Sequence, residues 1–336
     1  MLYKNIEFWN VEEIFEKDDG LGLSRIPEDV RNKLNENAKI CALMPAGCEL
    51  RFNLKSEKCK IVIKANKGKI LNRGICELYF GDFFNSWYFI NEEPTEIEIK
   101  YPENIKKLER LHKDSKNLKF VPNLIRVILP HLTDLRILEI KGDFEPPYEN
   151  QKPKLKLLAY GSSITHGAFS IRPTGSYAFK TAQILGFDLI NLGFGGGAHL
   201  EKEIVDYIVK RDDWDFGIFE LGINMVFWCE IEEFKKKVDY FVETISYEKK
   251  DKFLFFIDIY PFFMDFEKEK KQIEFRKILE KKVREIGKRN VFHISGFDIL
   301  KNLKGLSYDL IHPSPFGMEE ISYNLSSIIK RYIWSK

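Results

Sequence analysis

Two hydrophobic periods divide the chain. Up to residue 142 the apolar positions fall in short runs with alternating or β-rich character: ELRFNL (49–54), KIVIKA (60–65), ICELYF (75–80), EIEIK (96–100), IRVILP (125–130) and LRILEIKG (135–142). Turn-rich segments separate them and no convincing long helical pattern intervenes, which predicts an antiparallel β-sandwich over residues 1–145. Three prolines in DFEPPYENQKPK then break the patterning, and a linker is expected at 146–154. From 155 to 336 the pattern changes to buried-type strands, LKLLAY (155–160), FDLINL (187–192), DFGIFEL (215–221), KFLFFIDIY (252–260) and NVFHIS (290–295), alternating with helical segments. One helix, around 268–288, places Phe275, Ile278, Leu279, Val283 and Ile286 on a single face. The last opens with Ser314 as N-cap and Pro315 in its first turn, and its stripe is Ile321, Leu325, Ile328 and Ile329. Strand–helix alternation of this kind predicts a three-layer α/β domain on a parallel sheet.

Composition narrows the class of partner. With 53 basic and 51 acidic residues the net charge is only +2, so no whole-protein field favours nucleic acid or an anionic membrane. No run approaches the roughly 20 apolar residues of a membrane span. The N-terminal stretch MLYKNIEFWNVEEIFEKDDG carries acids where a signal peptide needs an apolar centre, and a cytoplasmic protein is expected. Cys41, Cys48, Cys59, Cys76 and Cys229 are odd in number, lack a CxxC pair, and four of them fall in apparent strands, which predicts buried free thiols. His112 and His131 have no Cys, Asp or Glu at metal-ligand spacing, so no metal is expected.

In parallel α/β sheets, functional residues gather where loops leave the carboxyl ends of strands. Three such ends carry useful chemistry, GSSITHG (161–167), NLGFGGGAH (191–199) and ELGINM (220–225), and a fourth segment, YDLIHPSPFG (308–317), lies just before the last helix. A serine hydroxyl needs an imidazole to take its proton, and the imidazole needs an acid to fix its tautomer. The three-residue spacing of Asp309 and His312 lets them meet on one turn. A glycine N–H and the Asn224 amide supply donors for an oxyanion. Serine first and Asp with His at the end is not the chymotrypsin order, and Thr165 stands where the G-x-S-x-G elbow requires glycine.

These blocks, in this order, resemble the SGNH (GDSL-type) hydrolases over roughly 155–335, and most closely a subgroup with YGxSITxGA…RP…Y…NLGFxGxxxLE. The resemblance implies a flavodoxin-like hydrolase domain, preceded as in the two-domain carbohydrate acetylesterases by a jelly-roll-like sandwich. It implies Ser163 as nucleophile, His312 as base and Asp309 as the orienting acid, with Ser163, Gly196 and Asn224 as the oxyanion hole and no cofactor. Ser162 replaces the aspartate of G-D-S, Gly197 stands where relatives often have Asn, and no Asp follows Asn224. Arg172, Phe227, Trp228 and His166 are candidate substrate contacts, each with a packing or surface role as the alternative. The implied function is hydrolysis of short acyl esters, acetyl above all, on a carbohydrate. A broader carboxylesterase or thioesterase, or a binding protein without turnover, stands as the alternative. The expected partner is a small-molecule or oligosaccharide ester, with a homo-oligomer left open.

Overall fold

A computed structural model describes residues 1–66, 71–268 and 270–334. Among these residues, the N-terminal part forms two antiparallel sheets. One runs in the order Leu2–Tyr3, Ile6–Trp9, Glu49–Leu54, Ile125–Ile128, Gly74–Phe80 and Phe83–Ile90, with Phe144–Glu145 added to the Glu49–Leu54 strand. The other runs Glu13–Lys17, Gly20–Ser24, Leu135–Lys141, Cys59–Ala65 and Thr95–Ile99. Strict alternation places Ile61 and Ile63 inward from the second sheet, where they join Leu50, Phe52 and Val127 of the first in one core. This sandwich also holds helices at Glu36–Ala42 and Ile105–Asp114, which the β-rich reading passed over. Both are short; the first docks by burying Ala38, Cys41 and Ala42, while the second buries no residue fully and rests Leu108 on the sandwich core. The first takes Cys41 out of its expected strand, and Cys48 lies in the turn before Glu49 rather than in a strand. All five cysteines are buried and free. The expected linker is packed: Gln151 is buried and exchanges hydrogen bonds with Asn53 at 3.0 and 2.6 Å.

The C-terminal part is a parallel sheet of Lys156–Gly161, Asp188–Gly193, Phe216–Glu220, Phe253–Ile257 and Val291–Ile294, in the order second, first, third, fourth, fifth. That is the flavodoxin-like order, whose switch point lies between the first and third strands. Helices cover both faces. In Lys271–Ile286 the buried positions Phe275, Leu279 and Val283 follow the expected stripe, and Phe275 stacks on Phe234 at 3.8 Å. The last helix, Pro315–Trp334, buries Ile321, Leu325 and Ile329, and Ser314 Oγ accepts the Gly317 N–H. Among the described residues no helix is long and apolar enough to cross a membrane.

The two parts meet along the outer edge of the parallel sheet. Asp188–Gly193 is an edge strand, so every second carbonyl points away from its only neighbour. Side chains of the N-terminal part take these carbonyls in turn. Trp9 Nε1 donates to Leu189 O, Asn10 Nδ2 to Asn191 O, and the Arg25 guanidinium to Asn191 O and Gly193 O at 2.7 and 2.8 Å. The same guanidinium donates to Met44 O and Cys41 O, both at 2.7 Å, and so ties the end of helix Glu36–Ala42 to the end of the strand. At the other end of the strand, Asp188 takes a bidentate bond from Arg51 at 2.6 and 2.7 Å. Arg51 and Arg126 share Glu49. Burial alone would push the Glu49 carboxyl up, but the two guanidiniums outweigh it and bring it to about 2.

Arg25→Lys keeps the charge but not the planar fork, so at least one of its four bonds to buried carbonyls is lost. The full chain is expected to lose roughly 2–4 kcal/mol of stability, read from its urea midpoint. An unchanged midpoint would show that the fork contributes nothing.

Candidate active site

The first parallel strand ends at Gly161, and a four-residue helix, Ser163–His166, starts immediately after it. Ser162 caps this helix, its Oγ accepting the Ile164 N–H at 3.1 Å. Ser162 therefore does the backbone work of a capping residue, while Ser163 occupies the first helical position, where the N–H has no acceptor within the helix. Below the turn lies Glu220, the last residue of the third strand. Its Oε2 accepts the Ser162 N–H at 2.7 Å and the Thr165 hydroxyl at 3.0 Å.

Before the last helix, Asp309 organises its own loop. Its Oδ1 accepts from Ser307 Oγ and from the N–H groups of Ile311 and His312, all at 2.9–3.0 Å. Its Oδ2 meets His312 Nδ1 at 2.6 Å, so Nδ1 carries the proton and Nε2 presents a lone pair. That Nε2 lies 2.7 Å from Ser163 Oγ. Partial burial would raise the Asp309 carboxyl, but the four donors outweigh it and lower it to about 2, so it remains an anion beside the imidazole at neutral pH.

The second and third strands supply the opposite wall. Gly196 is left-handed at φ +66°, and its carbonyl accepts from Asn37 Nδ2 at 3.1 Å. A Cβ on Gly197 would fall 2.5 Å from the Ala38 nitrogen, so helix Glu36–Ala42 leaves no room for a side chain at this position. Asn224 Oδ1 accepts the Ala198 N–H at 3.2 Å, which orients the amide and leaves Nδ2 free to donate.

A cavity of about 630 Å³ brings together Ser163, Gly196, Asn224 and His312. Most of its remaining wall is apolar, including Leu71, Leu132, Phe169, Ile223, Phe227 and Ile311. Phe227, half exposed, stacks on Phe263 at 6.0 Å. His166 lines the cavity but is buried, its Nε2 donating to His131 O at 2.6 Å, and burial drives its pKa well down. Two expected substrate contacts lie elsewhere. Arg172 turns to the buried Glu77 of the sandwich at 3.4 Å, a carboxyl that also accepts from the Thr174 N–H and hydroxyl at 3.0 Å. Trp228 is spent on the Asn224 carbonyl at 2.8 Å and packs edge-on against His199. Among the described residues no group of three His, Cys, Asp or Glu side chains could hold a metal ion.

Several residues at the site carried no usable signal in the sequence. Cys41, Leu71 and Leu132 reach the cavity from the sandwich, and only the tertiary fold brings them there. His131 donates to Gly167 O at 3.0 Å and so joins the sandwich to the turn that carries Ser163. Glu220 did have a signal, a lone acid closing an apolar strand. Burial pushes its carboxyl up to about 7, against the pull of its hydrogen bonds to Ser162 and Thr165, and its Oε1 meets no donor among the described residues.

A carboxyl raised on folding binds its proton more tightly in the native state. The linked stability is fully present near pH 4 and is lost as the pH rises through about 7. Melting temperatures of wild type and Glu220→Gln, followed from about pH 5 to pH 8, should therefore shift in favour of the variant. A difference that does not vary with pH would refute the assignment.

The model of the GDSL-like lipase/acylhydrolase family matches residues 154–330, more than half of the chain. No curated protein matches. Solved structures resemble it over nearly its full length at low identity. A salicylyl-acyltransferase from a tetracycline biosynthetic pathway has a TM-score of 0.77 at 16% identity, covering 96% of this chain and 95% of its own. A Bacteroides ovatus protein assigned as a GDSL-like lipase has a TM-score of 0.72 at 18% identity, covering 98% of both chains. A family two carbohydrate esterase from Clostridium thermocellum has a TM-score of 0.62 at 12% identity, covering 97% of this chain and 98% of its own. At such identities the likeness speaks for the fold, a hydrolase sheet behind an N-terminal sandwich-like part. With the family model over 154–330, it establishes that this chain belongs to the GDSL-like lipase/acylhydrolase family.

Proposed function

We propose that the protein is a serine-dependent carboxylic-ester hydrolase. The observation that carries this reading is the unbroken chain of contacts from Ser163 Oγ to His312 Nε2 at 2.7 Å and from His312 Nδ1 to Asp309 at 2.6 Å, opening into the cavity. Ser163 Oγ attacks the ester carbonyl as its proton passes to His312 Nε2, and Asp309 stabilises the imidazolium that forms. The oxyanion is held by the N–H groups of Ser163 and Gly196 and by Asn224 Nδ2, all preorganised by the backbone bonds described above. Collapse expels the alcohol, which takes the proton from His312. Water, deprotonated by His312, then attacks the acyl-enzyme and releases the acid. No step requires a metal or cofactor.

For the substrate, resemblance to the two-domain acetylesterases supports an acetyl ester on a carbohydrate. The cavity supports a second reading. Its walls are mostly apolar, and the sugar hydroxyls of an acetylated carbohydrate would find few partners there beyond His166, Ser170 and Asn224. An ester with an apolar body larger than acetyl fills the same space without unpaired polar groups.

Turnover of p-nitrophenyl acetate, p-nitrophenyl octanoate, an acyl thioester and a peracetylated sugar by wild type and Ser163→Ala tests both levels. Serine-dependent hydrolysis of any of them supports the chemistry, and the ratio between the octanoate and the sugar acetate decides the substrate. No serine-dependent turnover of any would leave a binding protein. Asn224→Ala is expected to lose about 10²–10³ in kcat. Ser163→Ala should cost as much as Ser163→Ala combined with His312→Ala, because the members act as a unit. Additive losses would point to another mechanism.

A further inference from the structure

Two residues with side chains that disfavour positive φ adopt the left-handed region on either side of the Ser163–His312 contact: Phe169 at φ +65° and Leu310 at φ +56°. For a bulky aromatic this conformation is a true outlier, and it persists only where the surroundings impose it. At Phe169 the imposing bonds come from the nucleophile turn itself. Gly167 N and Ala168 N both donate to Ser163 O, at 3.0 and 2.8 Å. Beyond Phe169, Ser170 donates from its backbone and its hydroxyl to Gly167 O, at 3.0 and 2.7 Å.

The strain does not serve burial, since Phe169 keeps 37% of its surface exposed. It serves contact with the base. The Phe169 ring lies over the His312 imidazole at 5.0 Å between centroids and 22° between planes. Hydrogen bonds to Ser163 and Asp309 hold the imidazole by two points on its edge and leave its faces unconstrained. A ring on one face limits rotation about the axis through those two points, keeps water from that side, and turns the negative face of its π system towards the imidazolium that forms during proton transfer.

We propose that Phe169 is a positioning residue for His312, carried on the turn of Ser163 so that nucleophile and base, 149 residues apart in sequence, are set by one rigid piece of backbone. The inference rests on the esterase reading for its kinetic consequences, but not for its geometry.

The test uses Phe169→Tyr, Phe169→Leu and Phe169→Gly in the full chain, with p-nitrophenyl acetate and with proton NMR of the low-field His312 Nδ1–H. Glycine is at ease at positive φ, so Phe169→Gly should melt no lower than wild type and yet lose at least about tenfold in kcat, with KM little changed for so small an ester. Phe169→Leu should lose a similar factor, and Phe169→Tyr should recover wild-type kcat. The Nδ1–H resonance should stay sharp in wild type and Phe169→Tyr and broaden in the other two. Wild-type kcat in Phe169→Gly, a loss confined to KM, or a sharp resonance in that variant would overturn the proposal. Should wild type turn over no ester, the esterase reading fails, and the resonance alone decides whether Phe169 holds the imidazole.

Discussion

The structure depends on how one exposed sheet edge is satisfied. A parallel strand at the border of a sheet leaves half its carbonyls without partners, and those of Leu189, Asn191 and Gly193 would be buried against the sandwich. Trp9, Asn10 and Arg25 supply the missing donors in the strand's own two-residue rhythm. The edge is thus closed by side chains of another sheet system instead of by a sixth strand. Because Arg25 also binds the carbonyls of Cys41 and Met44, closing the edge fixes helix Glu36–Ala42 at the mouth of the glycine loop. The glycine-loop wall of the cavity is consequently built from both parts of the chain, with Asn37 on the Gly196 carbonyl and Ala38 against Gly197.

Charge follows the same logic. The guanidiniums buried between the two parts are well supplied with acceptors: Arg51 with Asp188 and Glu49, Arg126 with Glu49, Arg25 with four carbonyls. Such groups contribute less to net stability than to uniqueness, because any shifted docking strands a charge in a dry interface. At the site itself the opposite condition holds. Ser163 Oγ meets His312 Nε2, the imidazole is held from its far side by Asp309 and the Asn224 amide by the Ala198 N–H, and Ser163, His312 and Asn224 all face the cavity.

Much of this was legible in the sequence where the signal is local. The strand at 49–54, the helix stripe of Phe275, Leu279 and Val283, and the Ser314–Pro315 helix start follow from period and capping chemistry. Ser163, Gly196 and Asn224 could be gathered from three strand-end loops because the parallel sheet directs those loops to one crevice, and Asp309 and His312 join them from the segment before the last helix. What was not legible depends on where unlike segments meet. The destination of Arg172 is decided by Glu77, 95 residues earlier on a different sheet, and the walls contributed by Leu71 and Leu132 exist only after docking. The conformation of Phe169 is of the same kind: no propensity places phenylalanine at positive φ, and only the bonds to Ser163 O impose it.

Chain order gives the closed edge a meaning in synthesis. Residues 1–145 leave the ribosome before residues 155–336. Trp9, Asn10 and Arg25 therefore emerge before the strand Asp188–Gly193 is made. The side chains that cap this edge of the parallel sheet thus precede it in synthesis, so the carbonyls of Leu189, Asn191 and Gly193 meet donors that already exist when the strand appears.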